Sequence, residues 1–331
     1  MSDLAETGAD WRIYRGTGEV HDGVERLPVP PPWRDFRGGA GDRSVRHHVA
    51  ARSYQVDEQA VDLVNAALYL RRPLLVTGKP GTGKSSLAYS IAHELNLGRV
   101  LYWPVTSRST LRDALYRYDA VGRFQELNAY RAEPRTAAPD IGRYLQLGPL
   151  GTALLPGARP RVLLIDEFDK SDVDLPNDLL NVFEEGEYVV PELARLPDDQ
   201  EVVEVMTDDP GSRAAVSRGR VRCQAFPVVV VTSNGEREFP APFLRRCLRL
   251  GLIPPDTERL ARIVAAHLGE DALENSRDLI REFLHRREEG DLATDQLLNA
   301  IYLVTARRVG STPEWDRLLG TLLRTLDGTG R

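Results

Sequence analysis

The sequence predicts an α/β fold in which a parallel sheet is flanked by helices, followed by a smaller, all-helical C-terminal lid. Two observations predict the sheet: three short apolar segments read as buried strands, and the first of them leads through a glycine-rich turn into a helix. The third observation is that apolar residues recur at helical spacing from about residue 255 onward. We therefore expect an N-terminal arm over residues 1–50, a core over 51–254 and a lid over 255–331.

The N-terminal arm is rich in proline and glycine, which disfavours regular secondary structure. We expect an extended segment whose Trp33 packs on the chain's own core, with a neighbouring subunit as the alternative. The first ten residues are polar and acidic, and no apolar segment approaches the length of a membrane helix. Cys223 and Cys247 fit a reducing compartment and are interpreted as packing residues. We therefore expect a cytoplasmic protein without membrane insertion.

The most specific motif lies at residues 78–85, whose sequence Gly-Lys-Pro-Gly-Thr-Gly-Lys-Ser matches the phosphate-binding pattern G-x-x-x-x-G-K-[ST]. A predicted strand over 73–77 precedes it and a predicted helix over 86–95 follows it. Glycines let backbone N–H groups face phosphate oxygens, and a helix N-terminus adds partial positive charge. We predict a phosphate-loop NTPase core in which the nucleotide contacts Gly78, Lys79, Pro80, Gly81, Thr82, Gly83, Lys84, Ser85 and Ser86.

Two residues of the loop have specific expected roles, with ATP and Mg²⁺ as the expected cofactors. Lys84 would reach the β- and γ-phosphates, and the Ser85 hydroxyl would ligate Mg²⁺. Only three of the 43 basic residues are lysines, namely Lys79, Lys84 and Lys170. Because this chain otherwise uses arginine, a lysine where a compact ammonium is needed is informative.

The second strand segment begins at Arg161, has four apolar residues at 162–165 and is followed by two acids, Asp166 and Glu167. Ligands of open α/β sheets bind at the carboxyl ends of the strands, so the pair is expected at the nucleotide. Asp166 would act at the metal by orienting the water shell of Mg²⁺, and Glu167 would polarise the attacking water. We interpret Asp169 and Asp172, in the next turn, as solvated or capping residues.

The third strand segment, residues 226–233, leads to Asn234. A side chain there would lie beside the same strand ends, where its amide could hold the attacking water in line with the γ-phosphate. The alternative is that Asn234, which precedes Gly235, is simply a turn residue.

Two further regions complete the sequence. Residues 191–222 form a polar insertion between the second and third strand segments, with a client-facing hairpin and a disordered loop as the two interpretations. Net charge is −6, and the basic residues are scattered pairs rather than a continuous stripe, which argues against nucleic acid as the partner. His267 and His285 have apolar neighbours at helical spacing and are interpreted as packing or surface residues.

In combination, these segments resemble the AAA+ ATPases, and within them the MoxR-like group. Residues 78–85, 163–167 and 232–234 are similar in order to the motifs called Walker A, Walker B and sensor 1. Three further segments are similar to MoxR-like chains: the Gly-Pro-Leu at 148–150, the helix over 179–186 and the segment 239–247. The resemblance spans about residues 54–310.

The resemblance implies catalytic roles for Glu167, Asn234 and Arg246, the last as an arginine finger that reaches the nucleotide of a neighbouring subunit. Arg245 is the alternative finger. It also implies a ring, usually of six subunits, and a chaperone-like remodelling of a client protein, with a von Willebrand factor A domain protein as one possible partner. A nucleic-acid-directed motor and a nucleotide-gated signalling or defence switch remain alternatives.

One position departs from the family pattern. AAA+ chains usually carry a sensor 2 arginine at the start of a lid helix, whereas residues 291–300 contain no arginine. Either sensor 2 is absent, or Arg307 or Arg308 replaces it.

Overall fold

The structure of this chain is a computed structural model, and its elements divide into two compact units. The larger unit comprises residues 54–78 and 83–253, and the smaller one comprises 79–82 together with the residues before 54 and after 253. The ranges that the structure describes are 13–14, 22–34, 54, 56–132, 139–289, 292–307 and 313–323.

The larger unit contains all the strands of the described residues. These are β1 Leu74–Thr77, β2 Leu101–Pro104, β3 Tyr116–Tyr118, β4 Leu145–Leu147, β5 Val162–Asp166, β6 Glu187–Val189, β7 Val202–Met206, β8 Arg213–Ser217, β9 Arg220–Arg222, β10 Val228–Ser233 and β11 Leu248–Gly251. Its helices are α1 Glu58–Leu70, α2 Lys84–Glu94, α3 Leu111–Leu115, α4 Ala120–Ala132, α5 Pro149–Ala153, α6 Leu175–Glu185, α7 Pro191–Ala194 and α8 Ala241–Arg246.

A five-stranded parallel sheet forms the centre of the larger unit, in the order β11, β1, β10, β5, β2. The three predicted strands are the middle ones, and β10 lies between β1 and β5 although it comes last of the three in the chain. Val76 pairs with Thr232, and Val231 pairs with Ile165. The carboxyl ends of the three strands therefore meet at one edge, as the sequence predicts.

Both faces of this sheet are buried, because alternate residues of each strand enter two different cores. Leu74, Val162 and Val228 pack on one face against α1 and α2. Leu75 and Leu163 pack on the other face, against α5, α6, α8 and a second sheet. The structure confirms the predicted α/β class, with a parallel sheet flanked by helices.

The second sheet has six strands in the order β3, β4, β7, β8, β9, β6, and it includes most of the insertion at 191–222. The disordered interpretation of this insertion is wrong. Its strands alternate buried and exposed residues, and the buried ones belong to the core of the larger unit: Val203, Val205, Val216 and Val221. The insertion forms a hairpin of β7 and β8, and β9 extends it. Its buried valines pack in the core of the larger unit and hold it there.

The turn of the β7–β8 hairpin carries two acids that are held by arginines outside the hairpin. Arg161, directly before β5, donates to both oxygens of Asp209 at 2.7 and 3.0 Å. Arg99 donates to Asp208 at 3.2 Å and to Asp209 at 3.3 Å. Burial raises the pKa of Asp209, but its bonds to the two arginines outweigh this and lower it overall. These two acids are therefore occupied within the chain.

The Gly-Pro-Leu motif at 148–150 brings α5 very close to α3. A Cβ on Gly148 would lie 2.4 Å from the carbonyl oxygen of Ala114, and one on Gly151 would lie 1.8 Å from that of Leu115. Only glycine permits so close a backbone approach. In this chain the motif is explained by packing.

The smaller unit holds the C-terminal helices α9 Thr257–Leu268, α10 Glu270–Glu274, α11 Arg277–Glu289, α12 Thr294–Arg307 and α13 Pro313–Leu322. Their core includes Leu260, Phe283 and Leu297. Trp33 packs against this core and donates from its indole nitrogen to Asn299 Oδ1 at 3.0 Å. Its ring meets that of His267 edge to face at a centroid distance of 6.2 Å. The aromatic therefore docks on the chain's own helices, as expected, and His267 is a packing residue.

Two other sequence expectations meet specific findings. The described part of the N-terminal arm is not wholly extended, since short 3-10 helices occupy Gly23–Arg26 and Pro32–Arg34. Cys247 is buried, which raises the pKa of its thiol to about 12 and suits a packing role. Within the described ranges, no helix has both the length and the apolar character needed to cross a membrane.

Candidate functional site

The phosphate loop ends where α2 begins, and the two are joined by a glycine in a left-handed conformation. Gly83 is the N-cap of α2 and has φ of 87°, a region that favours glycine. At the other end of the loop, the N–H of Gly78 donates to the carbonyl of Ser233 at 3.3 Å. The loop is thereby held beside the end of β10, and the first turn of an eleven-residue helix follows it.

Lys84 lies in the first turn of α2, and its side chain returns to the start of the loop. The Nζ atom donates to the carbonyl oxygen of Gly78 at 2.7 Å, and the residue is only 9% exposed. Burial lowers the pKa of Lys84, while the charges of Asp166, Asp169 and Glu167 act in the opposite direction. A buried ammonium within the loop is suited to bind phosphate.

Asp166 joins the loop to the ends of two neighbouring strands. Its Oδ1 accepts from the hydroxyl of Ser85 at 2.7 Å and from the hydroxyl of Thr232 at 2.7 Å. Its Oδ2 accepts from the phenol of Tyr102 at 3.3 Å. The structure thus brings together Ser85 and Asp166, the two residues predicted to act at a metal.

This pair of oxygen donors fits Mg²⁺, which is usually bound through one or two side chains together with substrate phosphates and water. A metal held wholly by protein side chains would need more ligands. Among the residues that the structure describes, no group of three or more His, Cys, Asp or Glu side chains has such an arrangement. The donor set therefore matches a metal that arrives with a nucleotide.

Glu167 follows Asp166 with its backbone in the left-handed region, at φ of 57°. This conformation is uncommon outside glycine, and it ends β5 abruptly. The N–H of Glu167 donates to the hydroxyl oxygen of Thr232 at 2.9 Å. The side chain is half exposed and pairs with Lys170 at 2.8 Å. This contact with Glu167 raises the pKa of Lys170.

Asp169 is buried, so its interpretation as a solvated residue is wrong, although it does cap backbone groups. It is 5% exposed, and its Oδ2 accepts from the N–H of Asn234 at 2.9 Å and from that of Glu236 at 3.0 Å. Its Oδ1 has no hydrogen-bond partner among the described residues. Asp169 therefore fixes the backbone of Asn234 relative to the turn after Glu167. By contrast, Asp172 is exposed and accepts from the N–H of Asp174.

We expect Asp169→Ala to lower the free energy of unfolding by about 2–5 kcal/mol, because two backbone donors would lose their buried acceptor. Asp169→Asn keeps one acceptor oxygen and should cost less. Urea denaturation of both variants measures the difference, with Asp172→Ala as the exposed control. If Asp169→Ala is as stable as Asp172→Ala, the assigned backbone contacts do not hold this turn.

The predicted finger residues lie at the end of α8. Arg246 pairs through its Nε with Glu184 and donates from Nη1 to the carbonyl of Pro242 at 3.3 Å. Arg245 is more exposed, and its Nε donates to the carbonyl of Ala241 at 3.3 Å. Both guanidinium groups therefore lie on the surface of the larger unit, and their roles stay predictions.

The sensor 2 question stays open. Arg307 is the last residue of α12, and Arg308 lies outside the described residues.

Sequence reasoning missed Tyr102, Thr232 as a bridging group, and Lys170. Tyr102 lies on β2, an edge strand that pairs with β5 and places Tyr102 beside Leu164. The apolar and aromatic run at 100–105 is a signal that could have identified this strand. Thr232 both donates to Asp166 and accepts from Glu167, which only the paired strands reveal.

The parallel sheet, the glycine loop before α2 and the acidic end of β5 define a phosphate-loop nucleoside triphosphatase core. A family model for the AAA domain (dynein-related subfamily) matches residues 73–247, more than half of the chain. The chain therefore belongs to this family of AAA+ ATPases, a membership that supports a general ATPase function. No curated protein matches the chain.

Proposed function

We propose that this chain is a MoxR-like AAA+ ATPase that hydrolyses Mg-ATP within a ring oligomer and uses the energy to remodel or activate a partner protein. The observation that carries the proposal is the placement of Asp166. It bonds at once to Ser85 of the phosphate loop and to Thr232 of β10, with Glu167 next in the chain. Such an arrangement serves hydrolysis, since binding alone needs no second acid at the strand end.

The roles of the side chains follow from this placement. Lys84 holds the β- and γ-phosphates, and Ser85 and Asp166 hold Mg²⁺. When bound, the metal neutralises charge on the phosphates. Glu167 accepts a proton from the attacking water, for which it must leave Lys170. Asn234 orients that water, and its backbone is fixed for this purpose by Asp169.

The ring is supported by the position of Arg246. Its partner Glu184 is 50% exposed and Arg246 itself is 38% exposed. Pairs this exposed are worth about 0–1 kcal/mol, so the guanidinium is readily available to a neighbour. An arginine that acts on another subunit's γ-phosphate requires assembly, and a ring closes such heterologous contacts. We propose six subunits, in the cytoplasm.

A protein partner is supported by the charge of the chain. The net charge is −6, and several exposed arginines in and beside the second sheet are balanced by acids, as in the pairs of Arg218 with Glu201 and of Arg222 with Glu187. This surface does not present the continuous positive charge that nucleic acid attracts. A von Willebrand factor A domain protein is the kind of partner that we propose.

Phosphate release and oligomer mass test the proposal together. With Mg²⁺ and ATP, the full chain should release phosphate and should elute with the mass of about six protomers by light scattering. Omitting Mg²⁺ should stop the release. Turnover that rises with DNA or RNA would instead indicate a nucleic-acid-directed motor. Tight binding without turnover would indicate a nucleotide-gated switch.

A further inference from the structure

A cavity of about 380 Å³ lies beside β2 in the larger unit. Its lining includes Tyr102 and Trp103 of β2 together with residues of β3, β4 and the start of α5. Three exposed polar residues from different segments line it: Arg108, Arg117 and Gln146. None of the roles assigned to the nucleotide site uses these three residues.

The acids that line the cavity have hydrogen-bond partners, whereas its arginines and its glutamine have none among the described residues. Within the described part of the chain, the side chains of Arg108, Arg117 and Gln146 make no ion pair or hydrogen bond. The acids of the lining are engaged already: Asp208 pairs with Arg99 at 3.2 Å, and Asp113 accepts from the hydroxyl of Thr110 at 2.7 Å. Two guanidinium groups and an amide are therefore available to a ligand that accepts hydrogen bonds.

The shape and chemistry favour a carboxylate on a peptide. A guanidinium binds a carboxylate through two parallel hydrogen bonds, and Gln146 could donate a further one. Pro104 and Pro149, which are exposed and partly exposed, supply apolar surface for the methylene groups and backbone of a peptide. A phosphate dianion suits the cavity less well than a single carboxylate, because it carries twice the negative charge towards the carboxylates of Asp113 and Asp208.

We propose that this cavity binds an acidic segment of the partner protein, through Arg108, Arg117 and Gln146. This inference deepens the proposed function, on which it rests, by naming the chemical class of the partner's contact. The cavity also has a direct connection to the nucleotide site, because Tyr102 lines it and donates to Asp166. An occupant that shifts the ring of Tyr102 would alter the hydrogen bond that Asp166 accepts from its hydroxyl.

Fluorescence anisotropy of a labelled Glu/Asp-rich peptide, with the full chain and a non-hydrolysable ATP analogue, tests the binding. Arg108→Ala and Arg117→Ala should each weaken binding about tenfold or more, because each removes a hydrogen bond to a charged group. Gln146→Glu is nearly isosteric and exposed, so the fold should tolerate it, and its added carboxylate should repel the peptide. Arg249→Ala, an exposed arginine on the opposite edge strand β11, is the matched control and should bind normally.

The connection to the nucleotide site is tested by phosphate release. The peptide should change the turnover of the unmodified chain, whereas Tyr102→Phe should bind the peptide normally and lose this response. Basal turnover with no binding of the acidic peptide would overturn the cavity proposal and leave the proposed function standing. Equal weakening by Arg249→Ala would also overturn it, because it would show non-specific attraction. Peptide binding in a chain that never hydrolyses ATP would instead refute the proposed function.

Discussion

Glu167→Gln is expected to bind ATP with unchanged affinity and to release phosphate about 10²–10⁴ times more slowly, the range typical of a lost general base. The amide is nearly isosteric with the carboxylate, and the backbone bond of Glu167 to Thr232 does not involve the altered side chain. Ser85 and Asp166 also keep their contact. In this variant, the affinity for a fluorescent ATP analogue should therefore stay the same while the rate of phosphate release falls.

Two controls define this result. Lys84→Ala removes the ammonium of the loop and should abolish both binding and turnover. Glu185→Gln makes the same chemical change at an exposed residue at the end of α6 and should alter neither. Unchanged phosphate release in Glu167→Gln would refute the role of this acid.

Arg246→Ala is expected to bind ATP normally and to hydrolyse it about 10³–10⁵ times more slowly, as for other phosphate-loop enzymes that lose a finger. In the proposed ring, the guanidinium would act on the nucleotide of a neighbouring subunit, so the variant's own loop is intact. Steady-state phosphate release at saturating ATP measures the effect. Glu184→Gln removes only the exposed partner of Arg246 within the same chain and should change turnover little.

Mixing variants tests whether the finger acts between subunits. Arg246→Ala and Lys84→Ala are each inactive alone, but a mixed ring contains interfaces where an intact finger faces an intact loop. Some activity should return on mixing. A large effect of Arg245→Ala and a small effect of Arg246→Ala would identify Arg245 as the finger. If neither substitution slows turnover, the ring is not needed for hydrolysis.

Much of the core could be predicted because its signals are local. β1, β5 and β10 begin as apolar runs, as expected of strands buried on both faces. β1 leads into the glycine loop, β5 ends at Asp166 and β10 leads to Asn234. The edge strands β2 and β11 carry weaker signals. The second sheet was predicted only in part, since a hairpin was one of the two interpretations of residues 191–222. Its pairs β3–β4, β4–β7 and β6–β9 join strands that are distant in the chain, so only the fold brings them together.

In the candidate site, too, contacts between residues distant in the chain could not be predicted from local sequence. Asp166 and Glu167 were identified from their place after an apolar run, whereas Asp169 was interpreted as a solvated or capping residue and its burial was not predicted. Its burial depends on Asn234 and Glu236, which are 65 and 67 positions away. Local charge cannot reveal a contact of this kind, because an acid in a turn is usually exposed.

The contacts of Arg161 and Arg99 with the acids of the hairpin turn fix one end of the β7–β8 hairpin to the rest of the larger unit. Arg161, the residue immediately before β5, donates two hydrogen bonds to Asp209. Asp166 and Glu167 lie at the other end of the same strand. Five strand residues span only about 17 Å and are hydrogen-bonded on both sides, so they stretch little under load. The hairpin turn and the two acids are therefore connected to opposite ends of one short strand.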